Sequence, residues 1–592
     1  MFDVLMRLYD WHSTLTRRYI KNMSSTSTQQ LYPGKLAHAW RRERDNLVTG
    51  KAVDRLWAKD ATLWPGPGGQ RQSVGGNLAW LDLPEQIGPY IERVRELMAA
   101  PSREAFQDVV FIAMGDSNLA AQALLQTAAE KRFRRVFLLD SADPSAIRTV
   151  EEQLDFDATV FVVASKSGKR IETHALMLYF LDKLKTRNLG DPGRCFVAVT
   201  EKDSYLAELA RNYAFLGTFF DTPGIKGRYS SLIHFGLLQS TIWCSEPEDL
   251  VSRAVAMRDL CRQSDGDQNP ALALAAFLAA GALEGNNKLL LVGTRSMGAL
   301  TYRIGQLVGA SLDKEGQGFV PICDASPTWL EVYRRGCTAA VLTMRGDENT
   351  EVKEFETHLR RAAVPTVSVD MASPEEFGAE MFKWEIATAL ACAPLNVNPF
   401  DEPDVEERRS KVSAMLEEVS SKRVWPARTA RVREKGIELY AEAETRHQIS
   451  TLNLSQALRT FFEAKEPDGY VATIAFAGNH PATDSVLRQL REHLTSRLGI
   501  PVLLNLGPRY LRTFEQVFKG GPSTGLFLIL TSEPGEDIGI PGAGYTFGQL
   551  QLALALSDFE SLELRRMRVV QLHCTQGLER GLSELENLVR KL

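Results

Sequence analysis

Cysteine is sparse in this 592-residue chain and never paired: Cys195, Cys244, Cys261, Cys323, Cys337, Cys392 and Cys574 are odd in number, scattered and without a CxxC spacing. That argues against a disulfide framework and a zinc site, and favours a reducing cytoplasm with neither metal nor cofactor. No apolar run reaches about 18 residues, so no transmembrane helix is expected. With a net charge of −5 there is no excess of positive charge. The basic clusters at Arg132–Arg135 and Arg428–Lys435 read as solvated faces, so neither nucleic acid nor a membrane is an expected partner. Low-complexity tracts and short repeats are missing too. Arg7, Arg17, Arg18 and Lys21 hint at a presequence, but Asp3 and Asp10 count against one, and Met23 reads as an alternative start. Residues 1 to about 30 are expected to form a poorly ordered extension.

What the chain does have is alternation. Its 44% hydrophobic and 24% charged residues suffice for two or three packed domains. Leu36–Trp64 reads as one or two helices, closed by the turn cluster Pro65-Gly-Pro-Gly-Gly-Gln. Strands are then expected at Val109–Ala113, Val136–Asp140, Thr159–Val163 and Cys195–Val199, separated by helices such as Leu119–Lys131 and Ser145–Leu154. The pattern restarts at Lys288–Gly293, continues through Ala339–Thr343 and Thr366–Asp370, and ends in the helix Ala379–Ala393. Such spacing implies βαβ units, parallel sheets and helices on both faces, hence an α/β fold. Residues 404–465 read as a charged helical connector. A mixed segment follows, with strands Tyr470–Phe476, Val502–Asn505 and Leu526–Leu530 and a helix Thr483–Leu498. The expected divisions are 1–75, 76–265, 266–403, 404–465 and 466–592.

The stretch "ASKSGKRIETHA" (164–175) joins a strand to a helix. In open parallel sheets, ligands gather at the carboxyl ends of strands, where helix N-termini offer unpaired N–H groups. Ser165, Ser167 and the backbone at Gly168 suit a phosphate, with Lys166, Lys169 or Arg170 supplying charge; the same serines read equally as helix caps. "AMGDSNL" (113–119) repeats the arrangement and presents Ser117.

Together "MGDSNLA", "LLDSADP" (138–144) and "ASKSGKRIET" resemble the sugar-isomerase domain of phosphoglucose isomerases. "KGRYSSLIHFGL" (226–237), "KEGQGFVPI" (314–322), "FKWEIATALA" (382–391), "LNVNPFDEPDV" (395–405), "GPRYLRT" (507–513) and "KGGPSTGLFLIL" (519–530) follow in the order of the isomerase part of bacterial fused transaldolase/phosphoglucose isomerases. The resemblance covers roughly residues 75–575. It implies two sugar-isomerase (SIS)-type three-layer α/β/α domains with parallel sheets, plus a C-terminal α/β segment over the cleft between them. It also implies a hexose phosphate as ligand and, as often in the family, a homodimer.

Aldose–ketose isomerisation needs a phosphate cradle, a carboxylate base, a cation beside the enediolate and an acid/base group for ring opening. For the cradle the resemblance supplies Ser117, Ser165, Lys166 and Ser167, but Lys169 and Arg170 stand where the family has paired threonines, and Asp116 replaces a glycine. Arg170 then either pairs with Asp116 or holds the phosphate itself. The cation is retained as Arg228, for which a structural salt bridge is the other reading. The base falls on Ala310 in "ASLDKEG", where Asp313 or Glu315 would have to swing in as substitute. Among the ring-opening groups, the family's histidines align with Arg512 and Phe518, and its lysine and glutamine with Arg409 and Glu402. None of the nine histidines falls on a motif position; His174 and His480 merely lie near loops.

The leading expectation is a family member with isomerase activity lost or much reduced, acting as a regulator or assembly partner of sugar-phosphate enzymes. The alternative is a glucose-6-phosphate isomerase with Asp313, Glu315 or Glu402 as relocated base. A third reading has Lys169, Arg170 and Lys226 recognising extra charge on another sugar phosphate.

Overall fold

The computed structural model describes residues 27–64, 76–86, 88–99, 106–115, 119, 122–123, 135–187, 190–231, 247–323, 325–401, 405–422, 425, 428–449, 452–478, 481–507 and 514–590. Their strands form three sheets. The first has the order β3-β2-β4-β5-β6 and is entirely parallel: β2 is Asp108–Ala113, β3 Arg135–Leu139, β4 Thr159–Ala164, β5 Phe196–Glu201 and β6 Gly217–Asp221. Every residue of β2 (DVVFIA) and β4 (TVFVVA) is buried, as expected of strands covered on both faces.

The second sheet has the order β1-β10-β9-β7-β8, with β7 Lys288–Gly293, β8 Val320–Cys323, β9 Cys337–Met344 and β10 Thr366–Met371 mutually parallel. Its edge strand β1, Thr28–Tyr32, is antiparallel to β10 and comes from the amino-terminal part of the chain. Three indoles fasten that part further: Trp40, Trp57 and Trp64 donate through Nε1 to the carbonyls of Ala273, Cys261 and Ala389 at 3.1, 3.3 and 2.9 Å.

The third sheet, β11-β12-β16-β15-β13-β14, has a parallel set, β13 Tyr470–Phe476, β14 Val502–Gly507, β15 Gly525–Ser532 and β16 Arg568–Cys574. It is extended by antiparallel β12, Ile437–Ala441, and β11, Val432–Glu434. Both lie in the stretch read from sequence as a helical connector. That stretch does hold helices Val405–Lys422, Ala443–Ile449 and Leu454–Glu463, but the alternation of burial along β12, with Ile437, Leu439 and Ala441 inward, makes it a strand. The α/β architecture with parallel sheets expected from the sequence is thus present three times. Among the described residues, no helix is long and apolar enough to cross a membrane.

The sheets share continuous cores. One cluster joins Val109 and Val197 to Leu289, Leu342 and Trp384; another joins Phe161 and Phe180 to Val320, Phe518 and Phe547. The short helix Glu515–Gly520 brings the third sheet's domain against helix Gly298–Leu312, where Val517 meets Gly309. Gly316 N donates to Gly520 O at 2.9 Å and Gln516 Nε2 to Asp313 O at 2.9 Å.

Candidate functional site

The turn after β4 is fixed by backbone. Thr200 Oγ1 donates to the carbonyls of Ser165 and Lys166 at 2.7 and 2.9 Å, and Glu201 N to Lys166 O at 3.0 Å. Gly168 turns at φ +67°, and a Cβ there would collide with the Leu206 backbone. Helix Ile171–Thr186 follows, with Arg170 in the N-cap position and no side-chain cap bond, so the serines do not cap it. Ser165 is 3% exposed and its hydroxyl has no hydrogen-bond partner among the described residues; Ser167 is exposed. Lys166 Nζ faces inward to Asp221 at 3.5 Å, and burial raises the Asp221 carboxyl against that pull. Arg170 reaches across to the end of β2, donating to Met114 O at 2.6 Å. Ser117, Asp116, Glu402, Arg512 and His480 lie outside the described residues, as does the side chain of Arg409, whose backbone is in helix Val405–Lys422. His174 packs edge-on against Tyr205 at 5.5 Å, and burial lowers its pKa.

Arg228 is buried, at 1% exposure. Its guanidinium donates to Pro399 O, at 3.2 Å from Nε and 2.9 Å from Nη2, and to Asp401 O at 3.0 Å. Behind this loop, Phe400 packs on Trp64 and Tyr229 with centroids 5.3 and 5.1 Å apart, and Trp80 stacks on Tyr229 at 5.1 Å. The turn carrying Arg228 is held from its other side. Arg303 Nη2 donates to Arg228 O at 2.7 Å and Ser231 Oγ at 2.8 Å, and faces Glu385 at 3.9 Å. Glu385 accepts from Ser231 N at 3.2 Å. Burial pushes its carboxyl up to about 7, with the Arg303 guanidinium and the Ser231 amide pulling the other way.

Helix Gly298–Leu312 delivers the third component. Ala310 on its last turn is 8% exposed among neighbours at zero. Lys314, just beyond, donates to Ser311 O at 2.9 Å and to Asn398 O, and pairs with Asp401 Oδ1 at 2.9 Å. Burial and the neighbouring Arg228 cation lower its pKa; Asp401 opposes them. Asp313 turns the other way, into a wall of glycines: a Cβ at Gly318 would strike Oδ1, and one at Gly521 would come within 2.9 Å of it. It has no solvent exposure, and among the described residues neither carboxyl oxygen has a partner within hydrogen-bond geometry. Burial raises it well above the usual carboxylate range, against weaker pulls from the Lys314 ammonium and the Phe319 amide. Glu315 is exposed, at φ +55°. Next to the same glycines, Lys519 forms a buried cluster with Glu515 (2.7 Å) and Asp558 (3.0 Å).

The structure therefore brings Arg228 and the unforeseen Lys314 onto the 398–401 loop, buries Asp313 away from it, and leaves Glu315 outside. Lys314 and Glu385 both stand in motifs legible in the sequence, but nothing local marks either as buried.

Residues 82–288 match the family model described as phosphoglucose isomerase, a stretch that includes the 164–175 turn and Arg228 and ends before Ala310. The glucose-6-phosphate isomerase of Nostoc punctiforme is 25% identical over 415 residues, 63% of this chain and 76% of that protein. A probable glucose-6-phosphate isomerase of Haloquadratum walsbyi is 24% identical over 408 residues, 62% of this chain and 92% of that protein. Among solved structures, the fold is shared with a hypothetical protein from Thermus thermophilus (TM-score 0.58, 22% identity, 66% of this chain and 100% of that one). It is also shared with a glucose-6-phosphate isomerase from Chlamydia trachomatis (TM-score 0.51, 18% identity, 58% of this chain and 75% of that one). Over residues 82–288 the chain is thus similar to the phosphoglucose isomerase family, and over about 60% of its length it resembles glucose-6-phosphate isomerases at 24–25% identity.

Proposed function

We propose that the chain binds a sugar phosphate between its first two sheets, with isomerase activity lost or much reduced, and acts as a regulator or assembly partner in sugar-phosphate metabolism. The observation that carries this reading is the pairing of Ala310 with Asp313. Where the family resemblance calls for a proton-abstracting carboxylate the chain has a methyl group, and the nearest carboxyl in sequence, Asp313, is sealed from solvent, burial raising it well above the usual carboxylate range. A general base is worth about 10²- to 10⁴-fold in rate and must reach within hydrogen-bond distance of the proton it removes. A carboxyl with no solvent exposure, turned away from the 398–401 loop, does not reach it.

Binding is favoured by what remains. Arg228 and Lys314 place two buried cations side by side at the 398–401 loop, a setting that suits an anionic or hydroxyl-rich ligand. The buried hydroxyl of Ser165, without a partner among the described residues and at the carboxyl end of a parallel strand, suits a phosphate oxygen. Titration calorimetry with glucose 6-phosphate and with a sugar acid phosphate tests the binding half: saturable binding weakened about tenfold in Ser165→Ala is expected. No binding of either compound contradicts it.

The second reading, a working glucose-6-phosphate isomerase, draws on the retained Arg228 as electrostatic stabiliser, with Glu315, Glu402 or Asp313 as relocated base and Arg409 in place of the family's lysine. Exposed Glu315 would need the 315–317 turn to fold inward for that role.

A further inference from the structure

The amino-terminal ends of the second and third sheets meet around a cavity of about 360 Å³, at the opposite end of the strands from the loops described above. Its wall includes Lys288, the first residue of β7; Arg334 and Arg335, ahead of β9; and Asp468 and Ile500, ahead of β13 and β14. Lys288 is 3% exposed, and its ammonium donates to Asn287 Oδ1 at 3.1 Å. Among the described residues no carboxylate lies within ion-pair distance of it. Gly336, at φ +59°, closes the turn that carries both arginines over this ammonium: Lys288 N donates to Gly336 O at 3.0 Å, and a Cβ on Gly336 would lie 3.2 Å from Lys288 Nζ. Arg334 is held by Glu331 at 3.0 Å, whereas Arg335 is exposed and makes no ion pair among the described residues.

An ammonium taken out of water without a carboxylate is costly, and the cost is met when a ligand supplies the counter-charge. The charged groups around it do not. Burial lowers the Lys288 pKa, and Asp468 and Cys337 oppose that shift only in part. Cys337 is itself pushed up to about 12 by burial and is a neutral thiol, with Lys288, Lys35 and Asp468 acting on it. Glu331 is engaged by Arg334. The Arg335 guanidinium fork at the mouth, with Arg334 beside it shared with Glu331, and a point charge at the floor match a phosphate group better than a single carboxylate. The volume exceeds that of inorganic phosphate and leaves room for a small ester.

We propose that this cavity is a second anion site, taking a phosphate dianion, free or as a small phosphate ester, between Lys288 on the second sheet and the turns of the third. The site does not depend on the sugar-phosphate reading of the cleft. Full-length protein is titrated calorimetrically with inorganic phosphate and with glycerol 3-phosphate, in alkaline buffers of different ionisation heat where phosphate is already dianionic. Binding is expected with net proton uptake, because the anion restores the lowered lysine pKa. Arg335→Ala, an exposed substitution that leaves the core intact, is expected to weaken binding at least about tenfold, and Lys288→Met to abolish the proton uptake, while Ser165→Ala leaves this event unchanged. Preference for either compound supports the site and tells which source fits it. Affinity unchanged in Arg335→Ala, binding lost in Ser165→Ala alone, or no binding of either compound would overturn it.

Discussion

A buried hydroxyl with no partner costs stability on its own, and Ser165 is such a group. Ser165→Ala is therefore expected to raise unfolding free energy by about 1 kcal/mol while weakening sugar-phosphate binding, a split read by denaturant titration beside calorimetry. A substitution that lowers both would mean the hydroxyl serves the fold. Glu385 offers a second test at this scale. Its carboxyl is raised from an ordinary 4.5 to about 7, so the folded chain holds this proton more tightly than the unfolded chain. The contribution of Glu385 is then most favourable below pH 4.5 and is lost as pH rises through about 7. The stability of the wild type relative to Glu385→Gln is expected to fall across that window by up to about 3 kcal/mol. A flat or rising difference would contradict the assignment. Such residues explain the limits of reading this site from sequence. Ala310 and Arg228 stand out because a motif surrounds them, whereas the state of Asp313, Lys314 and Glu385 depends on burial by segments distant in the chain, such as the 398–401 loop and Gly521.

At the scale of elements, the 165–170 turn exists because Gly168 supplies a left-handed residue packed on the Leu206 backbone. Gly168→Ala combines strain with collision and is expected to destabilise the chain by about 2–4 kcal/mol, measurable as a shift in the denaturant midpoint at unchanged slope. Buried, mostly apolar strands were readable: Lys288–Gly293 and Tyr470–Phe476 have the bounds expected from sequence, since buried parallel strands write themselves as near-continuous hydrophobic runs. Of the edge strands, β3 and β14 were readable as well, but others were not. β1 (TQQLY), β6 (GTFFD) and β11 (VRE) are half-exposed or short, and only their pairing partners make them strands. The Arg228 turn is legible as a motif but is held by Arg303 and the 398–401 loop, which are contacts no local pattern announces.

Across the whole molecule, the helix that docks the third sheet's domain against helix Gly298–Leu312 is itself held in place by charge. Lys519 pairs with both Glu515 and Asp558 where helix Glu515–Gly520 meets helix Phe547–Leu564, both partners being about 1–2% exposed. Lys519→Met would leave two carboxylates buried together, and a loss of about 3–5 kcal/mol is expected in equilibrium unfolding. The same helix abuts the Gly309–Gly318 segment, so that loss should carry over to ligand binding in the cleft. The claim that the cleft binds without turning over is tested most directly by a coupled assay of glucose 6-phosphate conversion to fructose 6-phosphate by purified protein. It is run beside Arg228→Ala, as a control for contaminating isomerase, and beside Ala310→Glu. Wild-type turnover no higher than that of the Arg228→Ala control is the expected result. Turnover of about 10 s⁻¹ or more that Arg228→Ala abolishes would contradict it and assign the chain a working base elsewhere in the cleft.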